Sequence, residues 1–145
     1  MPATPVKNAE PSPPFPSVAD LERQHGIPAD TYCGLSPADM SRAIIACHSG
    51  PRRPGQPIGY WPAASEETRL GWLRAEFGPD ADIERIRLLE QFFSSRVSRA
   101  LKLDWSLPND AFDRSVHEGL ERHFPELSIE ARAVITGNYS YSHAK

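Results

Sequence analysis

The feature that most constrains the fold is an apolar stripe between residues 80 and 103. Its members recur at intervals of three and four: Ile83, Ile86, Leu89, Phe93, Val97 and Ala100 or Leu101, with Leu88 and Phe92 widening the stripe. Because an α-helix turns once every 3.6 residues, this spacing puts them on one helical face. A helix this long must bury such a face, so residues 80–103 are predicted to be the central helix of a bundle.

Five further segments have the start and stop signals of helices. They cover residues 17–26, 36–50, 65–78, 110–124 and 128–137. Four begin with a serine, a common N-cap, and four end at a glycine, the residue most common just past a helix. Gly137-Asn138 is the predicted stop of the last helix, and the conformation of residues 138–145 stays open. The predicted fold class is all-α, a compact bundle of five or six helices.

Proline separates two segments from this bundle. Residues 1–16 contain six of the chain's 15 prolines and are predicted to be a disordered tail, in which Phe15 is the residue that could dock on the domain. Residues 17–145 form the single helical domain. Within it, residues 49–64 are a Pro/Gly-rich connector between two helices, long enough to carry a function of its own.

Composition argues against several classes of function. Sixteen basic and 19 acidic residues give a net charge of −3, and no region is strongly basic, which argues against a broad nucleic-acid surface. The apolar runs are too short for a membrane span, and no signal peptide precedes the domain. Two cysteines do not make a disulfide framework. We therefore expect a soluble, cytoplasmic protein with reduced thiols.

Apart from the Arg/His spacing described below, the sequence contains no motif for metal binding, cofactor binding or catalysis. Residues His25, Cys33, Cys47 and His48 could supply four zinc-type donors, but their spacing lacks the close pairs that bring two ligands to one ion. The simpler interpretation is a buried thiol at Cys47 and a histidine at a helix end. We expect no cofactor and no metal, and the balance favours a protein that is not an enzyme.

The connector holds the best candidates for a binding site. Arg52, Arg53, Tyr60 and Trp61 lie close together there, and these are the side-chain types enriched at interface hot spots. The alternative is that Tyr60 and Trp61 fold back on the core and anchor the loop. The preferred hypothesis is a non-enzymatic interaction or regulatory module, such as an adaptor, inhibitor or immunity-type protein, with another protein as partner.

Two other functions remain open. Arg42 and His48 have an Arg-x5-His spacing that resembles the active-site motif of the all-helical HEPN ribonucleases. The resemblance implies an RNA-processing enzyme in which Arg42 stabilises phosphoryl charge and His48 transfers a proton. The segment 110–137 could instead form a helix-turn-helix, with helix 129–137 reading DNA, although Glu130 at its start would repel phosphate.

Overall fold

The computed structural model describes residues 16–50 and 64–144. Six helices, and no strand, occur in these two ranges: α1 Val18–Gln24, α2 Pro37–Ser49, α3 Glu66–Phe77, α4 Ile83–Leu101, α5 Asn109–His123 and α6 Ile129–Ala144. The all-α class, the helix number and the long helix α4 are as predicted. The predicted tail, apart from Pro16, and most of the connector lie outside the described residues.

Side-chain caps fix the beginnings of five of these helices. In four of them a serine hydroxyl accepts the backbone N–H three residues on, which confirms the predicted caps Ser17, Ser36, Ser65 and Ser128. Helix α4 differs, because its cap is Asp82, whose carboxylate accepts from the Arg85 amide. The helix is therefore shorter than the predicted range 80–103, by three residues at its start and two at its end.

The core consists of two apolar clusters joined by α2 and α4. In the larger cluster α4 contributes Leu89, Phe93 and Val97, and residues of α2, α5 and α6 pack around them. The smaller cluster lies where α2, α3 and the start of α4 meet, around Cys47 and Leu73. The predicted apolar faces of these helices are thus buried. None of the described helices is long and apolar enough to cross a membrane.

Helix α6 does not stop where the sequence predicted. Gly137-Asn138 was the predicted end, but the helix continues to Ala144. Tertiary contacts hold the extra two turns: the Ser140 hydroxyl donates to Asp113 at 2.6 Å, and His143 Nε2 lies 2.9 Å from the Leu107 carbonyl oxygen. These contacts outweigh the local preference of glycine and asparagine for a helix end.

Candidate functional site

The most polar part of the interior lies where the last turn of α2 meets α3 and α4. His48 of α2 faces Glu90 of α4, with 2.8 Å between the histidine Nε2 and the carboxylate Oε2. The Glu90 side chain is only 3% exposed. A carboxylate so deeply buried needs hydrogen-bond partners, because losing water without replacing it costs several kcal/mol. The neighbours of Glu90 therefore decide whether this arrangement is structural or reactive.

Arg87, one turn before Glu90 on α4, supplies the second partner of the buried carboxylate. Its Nη1 donates to Glu90 Oε1 at 2.6 Å, while its Nε and Nη2 form a two-point contact with Glu66 of α3, each at 2.8 Å. Burial acts to lower the pKa of Arg87, but these two carboxylates outweigh it and raise that pKa. The hydrogen bond from Arg87 in turn lowers the pKa of Glu66.

Arg69 of α3 approaches His48 from the opposite side. It is 7% exposed and donates to the Cys47 carbonyl oxygen, one of the carbonyls that the end of a helix leaves without a helical partner. Its Nη1 also lies 3.2 Å from His48 Nδ1. Because an arginine can only donate, Nδ1 must accept, which assigns the proton to Nε2, facing Glu90. Both ring nitrogens of His48 are thus engaged.

The five residues form one polar network: His48, Glu66, Arg69, Arg87 and Glu90. With histidine neutral, two arginines balance two carboxylates, so the network carries no net charge. It joins three helices through a chain of hydrogen bonds in which each donor faces an acceptor. Such a chain fixes the relative positions of α2, α3 and α4.

The same network lies at the two points where the connector leaves and re-enters the helical domain. Helix α2 ends at Ser49, one residue after His48, and α3 begins at Glu66. Gly50 has a φ of 74° and packs so closely on the Trp72 ring that a Cβ there would lie 3.0 Å from it. Both the left-handed backbone and the close approach require glycine at this position. The first residue of the departing chain is therefore held in a defined direction.

A small cavity adjoins His48 and Glu90 on the side that faces α6. It is lined by Ile44, His48, Glu90, Phe93, Ser94, Val97, Val134, Ile135, Asn138 and Tyr139, and its volume is about 20 Å³. That is room for about one water molecule. A substrate would need α4 and α6 to move apart, so the cavity as it stands is not a substrate pocket.

The predicted partner-binding residues Arg52, Arg53, Tyr60 and Trp61 lie outside the described residues. Whether the two aromatic side chains point toward the core or away from it stays a prediction. The structure describes instead both anchor points of the segment that carries them.

The structure holds Arg42 and His48, the pair of the ribonuclease hypothesis, with different partners. Arg42 donates to Asp39 and Glu76 at 3.0 and 2.8 Å, and its guanidinium carbon lies 4.3 Å from the centre of the Phe77 ring. Six residues along a helix correspond to a rise of about 9 Å and a rotation of roughly 120° between the two side chains. Arg42 thus contacts the end of α3, whereas His48 contacts its first turns and α4.

The four candidate zinc donors are dispersed. Cys33 lies in the larger core cluster and Cys47 in the smaller one, and both side chains are fully buried. Burial raises the pKa of Cys33 to about 11 and that of Cys47 to about 12, which disfavours the thiolate that binds metal. His25 packs against the Phe92 ring. Within residues 16–50 and 64–144, no group of three or more potential ligands is placed to hold a metal ion.

The start of α6, the element of the DNA-binding hypothesis, presents Ile129 and Glu130 to solvent. Ile129 is 73% exposed, and Glu130 is an exposed acid in the first helical turn. Neither side chain donates a hydrogen bond to a phosphate or a base edge.

Sequence reasoning missed Glu90, although a signal was present. Glu90 lies one turn after Ile86, one turn before Phe93 and two turns before Val97, on the same apolar stripe. Charged residues are rarely fully buried unless they are paired, so an acid in this position predicts a buried cation or histidine. Its partner His48 lies 42 residues away in the sequence, and no local pattern names it.

Comparisons with known proteins assign this chain to no family. No protein-family model, no curated protein and no solved structure matches the chain.

Proposed function

We propose that this chain is a non-enzymatic helical module that binds another protein through the connector at residues 49–64. The observation that carries the proposal is the polar network at the base of that connector. Both carboxylate oxygens of Glu90 and both ring nitrogens of His48 contact other members of the network. The network thus satisfies the requirements of a structural support.

The support matters because binding costs entropy. A loop that is held firmly at both ends loses less conformational freedom on meeting a partner than one that emerges from frayed helix ends. Gly50 packed on Trp72 and the capped start of α3 at Ser65 provide such ends. The connector between them carries Arg52, Arg53, Tyr60 and Trp61, whose side chains are of the hot-spot type.

The described contacts favour this function over the two alternatives. For RNA cleavage, Arg42 would have to leave Glu76 and Asp39, and His48 would have to leave both Glu90 and Arg69. For DNA binding, α6 offers an isoleucine and an acid where a recognition helix needs donors. The interaction function requires neither rearrangement.

The test begins with the tagged full chain and a lysate from its native cells. Proteins that co-purify with the wild type are compared by quantitative mass spectrometry with those retained by the Arg53→Ala/Trp61→Ala double variant. The matched control is Arg74→Ala/Trp105→Ala, which removes an exposed arginine of α3 and a tryptophan that is 51% exposed elsewhere. Circular dichroism establishes that each variant is folded.

The expected result is one stoichiometric partner that is lost from the connector variant and kept by the control. With the purified partner, titration calorimetry should give a Kd at least about tenfold weaker for the connector variant. Equal retention by both variants would refute the proposal. Cleavage of total RNA by the wild type that disappears in His48→Ala would replace it with the ribonuclease function.

A further inference from the structure

An open apolar notch lies between α1 and α4. It is lined by Val18, Leu21, Gln91, Phe92 and Ser95, and its volume is about 250 Å³. One water molecule takes roughly 30 Å³ in the liquid, so the notch is large enough for an aromatic side chain. None of the residues in 16–50 and 64–144 fills it.

The sequence around the first turn of α1 explains why a side chain is expected at this place. Ser17 and Asp20 form a capping box, in which each side chain accepts the backbone N–H of the other residue. Beside such a box, the residue before the cap commonly packs on the fourth helical residue, here Leu21. That preceding residue is Pro16, which is exposed and leaves Leu21 half-buried.

We propose that Phe15, the next residue upstream, occupies the notch and anchors the Pro-rich N-terminal segment to the α1–α4 face. Phe15 lies three positions before Val18, a span of at most about 10 Å, so the ring is within reach. Met1 and Val6 are also apolar, but they lie much farther along the chain from Pro16. Phe15 is the only aromatic side chain of the segment, and Phe92 offers it a ring to pack against.

The need for this contact follows from the weakness of α1 itself. The helix has seven residues and buries none of them fully. A helix that short does not persist without tertiary contacts. The Glu22–Arg96 ion pair ties it to α4, and the Phe15 ring would add an apolar contact at its first turn.

The experiment uses the full chain with isotope-labelled valine and leucine methyl groups. In NMR spectra, Phe15→Ala should shift the Val18 and Leu21 methyl signals, because the ring current of Phe15 is removed. Hydrogen exchange of the α1 amides should accelerate about fivefold or more, while that of α5 and α6 stays unchanged. Val6→Ala is the matched control and should change neither signal.

A second variant separates packing from the ring-current effect. Phe15→Leu should shift the same methyl signals but keep the slow exchange of α1, because it restores an apolar side chain. Unchanged methyl signals in Phe15→Ala, or α1 exchange equal to that of the wild type, would overturn the proposal. Methyl shifts that depend on protein concentration would assign the notch to a second copy of the chain and would overturn it as well.

Discussion

Replacing Glu90 with glutamine tests whether the buried network is structural, because the change keeps size and removes charge. The wild-type carboxylate accepts one hydrogen bond from His48 and one from Arg87. A glutamine amide has only one oxygen, which can accept from one of these two donors. Its NH₂ group, itself a donor, must then face the remaining one. The variant also leaves the network with one uncompensated positive charge in a site that is 3% exposed.

The expected loss of stability is large. Removing one partner from a buried ion pair costs about 3–5 kcal/mol, and Arg87 keeps both of its contacts with Glu66, so we expect a loss of about 3 kcal/mol. With a urea m-value of about 2 kcal/mol per molar, this lowers the unfolding midpoint by about 1.5 M. Urea unfolding at pH 7, followed by far-ultraviolet circular dichroism, measures it.

Glu76→Gln is the matched control for this prediction. Its carboxylate also lies 2.8 Å from an arginine nitrogen, that of Arg42 Nε, but it is 42% exposed. Exposed pairs contribute about 0–1 kcal/mol, so the midpoint should fall by no more than about 0.5 M. If Glu90→Gln and Glu76→Gln lowered the urea midpoint equally, burial of Glu90 would not increase the stability lost with its charge, and the reasoning would be refuted.

Three further predictions test the packing and the ion pairs. Cys33 and Cys47 should not react with a thiol reagent in the native protein and should react promptly in urea, because burial raises both thiol pKa values; fast native labelling would contradict this. The hydrogen bond from Arg96 lowers the pKa of Glu22, so part of the stability should be present above the ordinary glutamate pKa and lost as the pH falls through the lower folded value. Urea midpoints of Glu22→Gln should therefore depend less on pH in that acidic range than those of the wild type, and equal slopes would refute the assignment. Gly71→Ala should raise the free energy of unfolding by about 0.5–1 kcal/mol, since nothing lies within 4 Å of an added Cβ in α3, and a lower thermal midpoint would contradict it.

The helices could be predicted from sequence because their signals are local. Ser36 followed by Pro37 defines the start of α2, and the apolar stripe of α4 can be counted residue by residue. The end of α6 could not be predicted in this way. Its last two turns depend on contacts with Asp113 and Leu107, which lie 27 and 36 residues earlier in the chain.

The polar network could be predicted only in part, for a related reason. A glutamate within the α4 stripe indicates that a buried partner exists, but pairing follows from how helices cross in space. His48 was correctly placed at a helix end, where a positive charge would interact well with the dipole. In the structure one ring nitrogen instead contacts Arg69 of α3 and the other contacts Glu90 of α4. The role of His48 therefore depends on two other helices.

The network and the connector can be separated experimentally because they affect different quantities. Glu90→Gln should loosen the junction of α2, α3 and α4 and so weaken partner binding indirectly, by raising the entropy cost of ordering the connector. Arg53→Ala/Trp61→Ala should weaken binding with little change in the unfolding midpoint. If only the first variant affected binding, the partner would contact the helical junction itself, and the site would have to be sought among the exposed residues around α3.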